Sequence, residues 1–184
     1  MRRLAVDDFK ENIFELIRQG ALLSAGTVEA YNAMTIAWGT FGFLWGKNVA
    51  TVYVRPSRYT HQFIKESPFF TITFFAPRYR EDLAIMGSKS GRDMDKIAAS
   101  SLHPTALSEN IITFQEARIT MVCRKIYEQP LDAAQLNSAD ISRYYDTADY
   151  HDAFIGEVID LHKTIWFSVQ NSKQQNYVLF IDRY

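Results

Sequence analysis

The sequence predicts a mainly β protein, a small antiparallel barrel carrying a helical insert, and three observations lead there. Short runs rich in β-branched and aromatic residues, "GALLSAG", "YNAMTIAWGTFGF", "NVATVYV" and "PFFTITFFA", follow one another between Gly, Asn or Pro breaks. After Pro77 the spacing turns helical, in "YREDLAIMG" and again in "SGRDMDKIAAS". From Ile111 strand-like runs return. Strands therefore enclose a helical pair, whereas a doubly wound α/β sheet would alternate strand with helix.

The elements follow in order. Residues 6–18, "VDDFKENIFELIR", place Phe9, Ile13, Leu16 and Ile17 on one face at helical spacing, with acids early and Gly20 just past the end, so an amphipathic helix leads into the domain. Four strands are expected next, the third and fourth separated by a short helix over residues 59–66 that stops at Ser67-Pro68, because the residue before proline avoids the helical region. The helical insert follows, its second member opening on Ser90 as N-cap with Asp93 in the first turn. "IITFQEARITMVCRKIY" reads as strand, and "AFIGEVIDLHKT", "TIWFSV" and "NYVLFIDRY" as closing strands. The polar, tyrosine-rich "LNSADISRYYDTADYHD" is expected on a loop.

At 184 residues the chain suits a single domain, residues 1–184, with a real core. Hydrophobic residues make up 47% and aromatics 14%, a globular composition rich in strand-favouring rings. A formal net charge of −1 argues against a broad basic face for nucleic acid or anionic membrane, while leaving room for a local basic pocket. Cys123 is the only cysteine, which excludes an internal disulfide framework and any multi-cysteine metal site, and points to a reducing cytoplasm. Asp7, Asp8 and Glu11 stand where a signal peptide would need an apolar run, and no apolar stretch reaches the length of a membrane span. A soluble cytoplasmic protein is the expectation.

Three stretches could carry chemistry. In "VRPSRYT" a strand ends and a helix begins, so unpaired N–H groups of the first helical turn draw an anion. Ser57 and Thr60 add hydroxyl donors, and Arg55 and Arg58 offer planar forks suited to phosphate oxygens. Ser57 capping the helix with both arginines in water is an equally available arrangement. In "YNAMTIAWGTFGFLWG" polar and Gly residues interrupt an apolar strand, as a flat ligand held along its edge would require; an edge strand with a bulge, its Trp38 and Trp45 in the core, accounts for the same pattern. In "GSKSGRDMDK", Lys89, Ser90 and Arg92 at a helix start would repeat the chemistry of "VRPSRYT", or pair with Asp93 and Asp95 as a solvated face. The G-x-G-x-x-G and phosphate-loop motifs are missing. None of the four histidines stands at triad or metal-ligand spacing from an acid, so no metal site is expected. Cys123 lies in the apolar run "ITMVCRKI" and reads as a small buried hydrophobe.

Taken in order, "NAMTIAWGTFG", "VYVRPSRYT" and "GSKSGRDMDK" resemble the flavin reductase-like family with the FMN-binding split barrel, in particular its flavoredoxin-like branch, and the resemblance runs from "GALLSAG" to "FIGEV". It implies an antiparallel Greek-key barrel and a homodimer with FMN near the interface. By the same resemblance Asn32, Ala33, Met34 and Thr35 would line the isoalloxazine ring, Arg55, Ser57, Arg58, Tyr59 and Thr60 would hold the ribityl phosphate, and Lys89, Ser90 and Arg92 would approach the same cofactor. Arg55 is the weakest member of that set. His151 would lie near the nicotinamide side as a catalytic contact. The implied activity is hydride transfer from NADH or NADPH to the flavin N5, with electrons passed on to a small-molecule or protein acceptor. A flavoredoxin-type electron carrier without nicotinamide activity is the alternative, and a flavin-free barrel a third. The apolar "FGFLWG" is the expected subunit interface.

Overall fold

A computed structural model describes residues 1–164. Strand β1 (Arg2–Leu4) is followed by a 3₁₀ turn (Val6–Asp8), helix α1 (Ile13–Gln19) and four strands, β2 (Ala21–Gly26), β3 (Tyr31–Ile36), β4 (Gly39–Leu44) and β5 (Lys47–Val54). Helix α2 (Tyr59–Glu66), β6 (Phe69–Phe74), a 3₁₀ turn (Pro77–Tyr79) and α3 (Arg80–Ser88) come next. The hairpin β7 (Pro104–Ser108) and β8 (Ile111–Phe114) leads to the long β9 (Ile119–Pro130), a 3₁₀ turn (Ala133–Gln135), the one-turn α4 (Ala139–Ser142) and the long β10 (Asp152–Lys163).

The main sheet has the order β3-β2-β6-β9-β10-β5-β4, every neighbouring pair antiparallel, and β1 pairs with the far end of β10. Between β9 and β10 the register shifts at Ile155/Gly156 and again at Val158/Asp160, and such bulges bend strands and increase twist. The row curls accordingly. Leu23 of β2, Met34 of β3, Val52 of β5, Ile72 of β6, Met121 of β9 and Phe154 of β10 meet in one buried cluster. Burying side chains of this size contributes roughly 1.5–3 kcal/mol each. At Gly156 a Cβ would stand 2.6 Å from Phe70 Cζ and 2.7 Å from Cys123 Cβ, so the bend leaves no room for a side chain there.

A second cluster covers the outside of β2 and β3. Leu22 and Ala33 pack there under Leu83 and Met86 of α3 and Phe114 of β8. Burial on both faces explains why "GALLSAG" and "PFFTITFFA" carry only small hydroxyl residues among their apolar ones instead of an exposed polar face. Thr71 on β6 satisfies its hydroxyl by donating to the Ile112 carbonyl, 2.7 Å away.

Several expectations are corrected. The amino-terminal helix begins at Ile13, because the Asn12 side chain caps it by accepting from the Glu15 N–H; Leu16 and Ile17 are buried, with Phe9 and Ile13 packed on the core, as the spacing predicts. "YNAMTIAWGTFGF" divides into two strands at the opposite ends of the row. Trp38 and Trp45 are not core residues, being 41% and 59% exposed. Trp45, at φ 52, and Gly46, at φ 72, form the tip of the β4–β5 hairpin. "SGRDMDKIAAS" is a run of turns, not a helix. Ser90 Oγ takes the Arg92 N–H, and Asp95 takes those of Ile97 and Ala98, so side chains compete for the bonds a helix would use. "IITFQEARITMVCRKIY" splits into β8 and β9. The closing strands expected in "TIWFSV" and "NYVLFIDRY" fall on residues 165–184, outside the described residues.

Candidate functional site

A cavity of about 400 Å³ opens where β3, the end of β5, the start of α2 and the end of α3 meet. Asn32 and Met34 face it from β3, Arg55, Ser57, Arg58, Tyr59 and Thr60 from the β5–α2 corner, and Lys89 and Ser90 from the turn after α3. β3 and β5 are far apart in the strand order, so only the curl of the sheet brings them to one cavity. A smaller cavity of about 190 Å³ shares Met34, Arg55 and Arg58 as walls and adds Thr35, Trp38, Tyr53 and His151. One end is thus cationic and polar, the other aromatic.

The polar end is held by directed hydrogen bonds. Asn32 Nδ2 donates to Thr60 Oγ1 at 2.8 Å, tying β3 to α2 and leaving the threonine proton free to donate. Ser57 caps nothing; its hydroxyl donates to Asp149 Oδ2 at 2.5 Å, and Arg58 occupies the N-cap position of α2 without a side-chain cap bond. Arg55 Nη2 donates to the Tyr144 carbonyl at 2.6 Å, and its guanidinium lies 5.4 Å from the Tyr145 ring centroid. Arg58 reaches the Gly87 carbonyl at the end of α3, 3.3 Å away. Lys96 lies against the same cavity, only 5% exposed, its ammonium donating to the carbonyls of Ala33 and Met86 at 2.6 and 3.2 Å. Burial, with the Arg58 charge adding to it, lowers its pKa to about 8. Among the described residues no carboxylate pairs with it.

At the aromatic end, His151 packs against Trp38 with ring centroids 4.9 Å apart, and its Nδ1 shares a 3.0 Å hydrogen bond with the Tyr145 hydroxyl. Burial first, then the Arg55 charge, lowers its pKa to about 4, so the imidazole is neutral at pH 7. With Tyr145 donating, Nε2 carries the ring proton. Next to it in sequence, Asp152 Oδ2 meets His61 Nε2 at 2.7 Å and pins α2 to β10. His103 meets Glu116 from a separate segment, a pairing sequence spacing does not show, whereas His162 meets Asp160 two residues away on the same strand. Cys123 is fully buried and its thiol pKa is pushed up by burial, as a core residue's is.

The sequence profile of the flavin reductase like domain matches residues 16–180. The chain belongs to that family. Among solved structures, this flavin reductase-like protein is similar to an FMN-binding domain of a flavin reductase-like enzyme from Shewanella baltica, at 16% identity and a TM-score of 0.62, covering 100% of this chain and 96% of that one. It is similar to a flavoredoxin from Methanosarcina acetivorans at 17% identity and TM-score 0.60, covering 90% and 85% of the two chains. A third is an NADH:FAD oxidoreductase from Streptomyces globisporus, at 13% identity and TM-score 0.58, covering 79% and 75%. At these identities the likeness is one of fold, an antiparallel split barrel with a few helices. Among curated proteins, none matches the sequence.

In this flavin reductase-like chain the expected residues divide by end. Asn32, Met34, Arg55, Ser57, Arg58, Tyr59, Thr60, Lys89 and Ser90 line the larger cavity; Thr35 and His151 line the smaller. Thr35 spends its hydroxyl on the Leu83 carbonyl at 2.6 Å. Ala33 and Arg92 line neither. The Ala33 side chain packs under α3 while its carbonyl anchors Lys96, and Arg92 braces the corner by donating to the Ser57 carbonyl at 2.9 Å. Lys89 caps the end of α3 and Ser90 follows it, so no second helix start converges on the cavity. Arg55, the weakest member by sequence, walls both cavities. Asp149 and Tyr145 have no motif that marks them, and Lys96, though it closes "GSKSGRDMDK", is set apart only by its burial and its bonds to the Ala33 and Met86 carbonyls. The donor set fits a phosphate-bearing ligand: three further cations and the hydroxyls of Ser57, Tyr59, Thr60 and Ser90 line a cavity with a buried ammonium that has no carboxylate partner among the described residues, against the one carboxylate of Asp149.

Proposed function

We propose that this flavin reductase-like protein is a flavoprotein that binds the FMN unit of a flavin and accepts electrons from NADH or NADPH. The observation that carries the reading is the joining, through Met34, Arg55 and Arg58, of a cationic cavity of about 400 Å³ to a smaller aromatic one. Arg58, Thr60, Lys89 and Lys96 would hold the phosphate, joined by Ser57 if its hydroxyl turns from Asp149, and Met34 and Thr35 would line the ring. Charge-assisted hydrogen bonds contribute roughly 1.5–3 kcal/mol each, so a few of them supply much of a micromolar affinity of about 8 kcal/mol. When bound, the flavin ring supplies the hydride and electron transfer.

The chain's own part is placement and proton control. Trp38, on the wall of the aromatic end, is steadied by an edge-on contact with Tyr144, ring centroids 5.3 Å apart. His151, neutral and oriented by Tyr145, offers a hydrogen-bond donor there without adding charge. We further propose a homodimer joined through the exposed apolar residues of β4, and a small-molecule or protein electron acceptor. An electron carrier reduced by a protein partner is the second reading, favoured by the 41% exposure of Trp38 at the aromatic end.

The test is direct. Purified protein is expected to take up flavin, and anaerobic NADH or NADPH is expected to bleach its visible absorbance within minutes. Uptake without bleaching leaves the carrier reading; no uptake of any flavin overturns both.

A further inference from the structure

We propose that the flavin this protein takes is a dinucleotide, its adenylate half seated in a second cavity beside the phosphate-binding one, an inference that rests on the flavin reading above. The second cavity measures about 490 Å³ and shares Asn32, Tyr59, Met86, Gly91 and Lys96 with the first. Three features of the two cavities point the same way.

The first is the cation on the shared wall. Lys96 is 95% buried in the sense that only 5% of it is exposed, and two carbonyls occupy part of its ammonium. A buried charge without a carboxylate costs stability unless an anion reaches it, and Lys96 faces both cavities, where the bridging phosphates of a dinucleotide would run. The second is the lining beyond it. Tyr31 and Met94 line it with the flat and apolar surfaces on which a nucleobase stacks, the Arg92 guanidinium lies over the Tyr59 ring 5.0 Å from its centroid, and Asp93 and Asp95 add carboxylates suited to the amino and hydroxyl donors of an adenosine rather than to its phosphate.

The third is Asp149. Its carboxylate stands in the first cavity, bonded to Ser57. A terminal phosphate monoester brings close to two negative charges at neutral pH, whereas each phosphate of a dinucleotide brings one. Asp149 therefore repels FMN more than FAD, and the adenylate gains contacts that FMN cannot make.

Calorimetric titration of riboflavin, FMN and FAD onto the flavin-free protein tests this, with Met94→Trp to fill the second cavity and Asp149→Asn to remove the charge. FAD is expected to bind about tenfold tighter than FMN. Met94→Trp should weaken FAD about tenfold while leaving FMN within about twofold, and Asp149→Asn should tighten FMN more than FAD. FMN binding as tightly as FAD, or Met94→Trp leaving FAD unchanged, overturns the proposal while the flavin reading stands. Met94→Trp weakening NADH on the FMN-loaded protein but sparing FAD also overturns it, assigning the cavity to the nicotinamide dinucleotide. If no flavin binds, the reading beneath it falls as well.

Discussion

Lys96 shows how much one side chain can decide. Its folded pKa of about 8 lies below the ordinary lysine value of about 10.4, so between those pH values the unfolded chain binds more protons and stability rises with pH. Below about pH 8 the buried charge is a full cost to the ligand-free protein. Lys96→Met is thus expected to stabilise the ligand-free fold by about 1 kcal/mol or more near pH 7, the gain shrinking toward pH 10, as thermal unfolding across that range will show. The same change should weaken flavin binding by about tenfold or more and remove the loss of affinity expected of the wild type as pH rises past about 8. Equal flavin affinity in the two proteins would take Lys96 out of the site. Ser57 makes the complementary point. A serine before a helix suggests a cap, yet its hydroxyl turns to Asp149 from a distant loop.

At the scale of elements, the turn after α3 does the work that a helix start was expected to do. Gly91 lets this turn pass close to β3 and α2: a Cβ there would stand 2.6 Å from Asn32 Oδ1 and 3.0 Å from Tyr59 Cδ1. Gly91→Ala should push Asn32 off Thr60, costing about 1 kcal/mol of stability and roughly tenfold in flavin affinity, measured by melting and by titration; unchanged affinity would show that the turn is not part of the binding wall. Helix α2 was legible because Ser67-Pro68 stops it and the arginine-rich corner starts it. The false helix in "SGRDMDKIAAS" has the right spacing of Met94 and Ile97, but Ser90 and Asp95 bind nearby backbone N–H groups, a competition that periodicity does not register. The hairpin strand β7, five residues long and alternately exposed, lacks the aromatic run that marks its neighbours. "VRPSRYT" announced the phosphate end, whereas the residues facing it from 131–151 are joined to it only by long-range contacts.

For the molecule as a whole, an exposed apolar surface among the described residues lies on the β4–β5 hairpin. Phe43 is 73% exposed and Trp45 59%, the latter packed edge-on against Tyr127 at 6.0 Å. Exposed groups of this kind mark contact surfaces. Light scattering is expected to give twice the 21.2 kDa chain mass at micromolar concentration, and Phe43→Glu to give a single chain; a wild-type monomer would refute the dimer. The core and the barrel were readable from the strand runs because burial on both faces leaves continuous apolar segments. The curl that brings β3 beside the end of β5 depends on bulges in β9 and β10, which no local pattern reveals.

The stretch from 131 to 151 touches both ends of the site: Asp149 bonds Ser57 at one, Tyr145 supports His151 at the other, and Tyr144 holds the arginine that walls both. A single stretch contacting two ligand sites couples their occupancies wherever one ligand shifts it. If the phosphate's arrival shifts this stretch and changes the affinity for a reductant by some factor, the reductant must change the affinity for the phosphate by that same factor. Order of arrival can then alter the rates, but not the total free energy of the doubly occupied state.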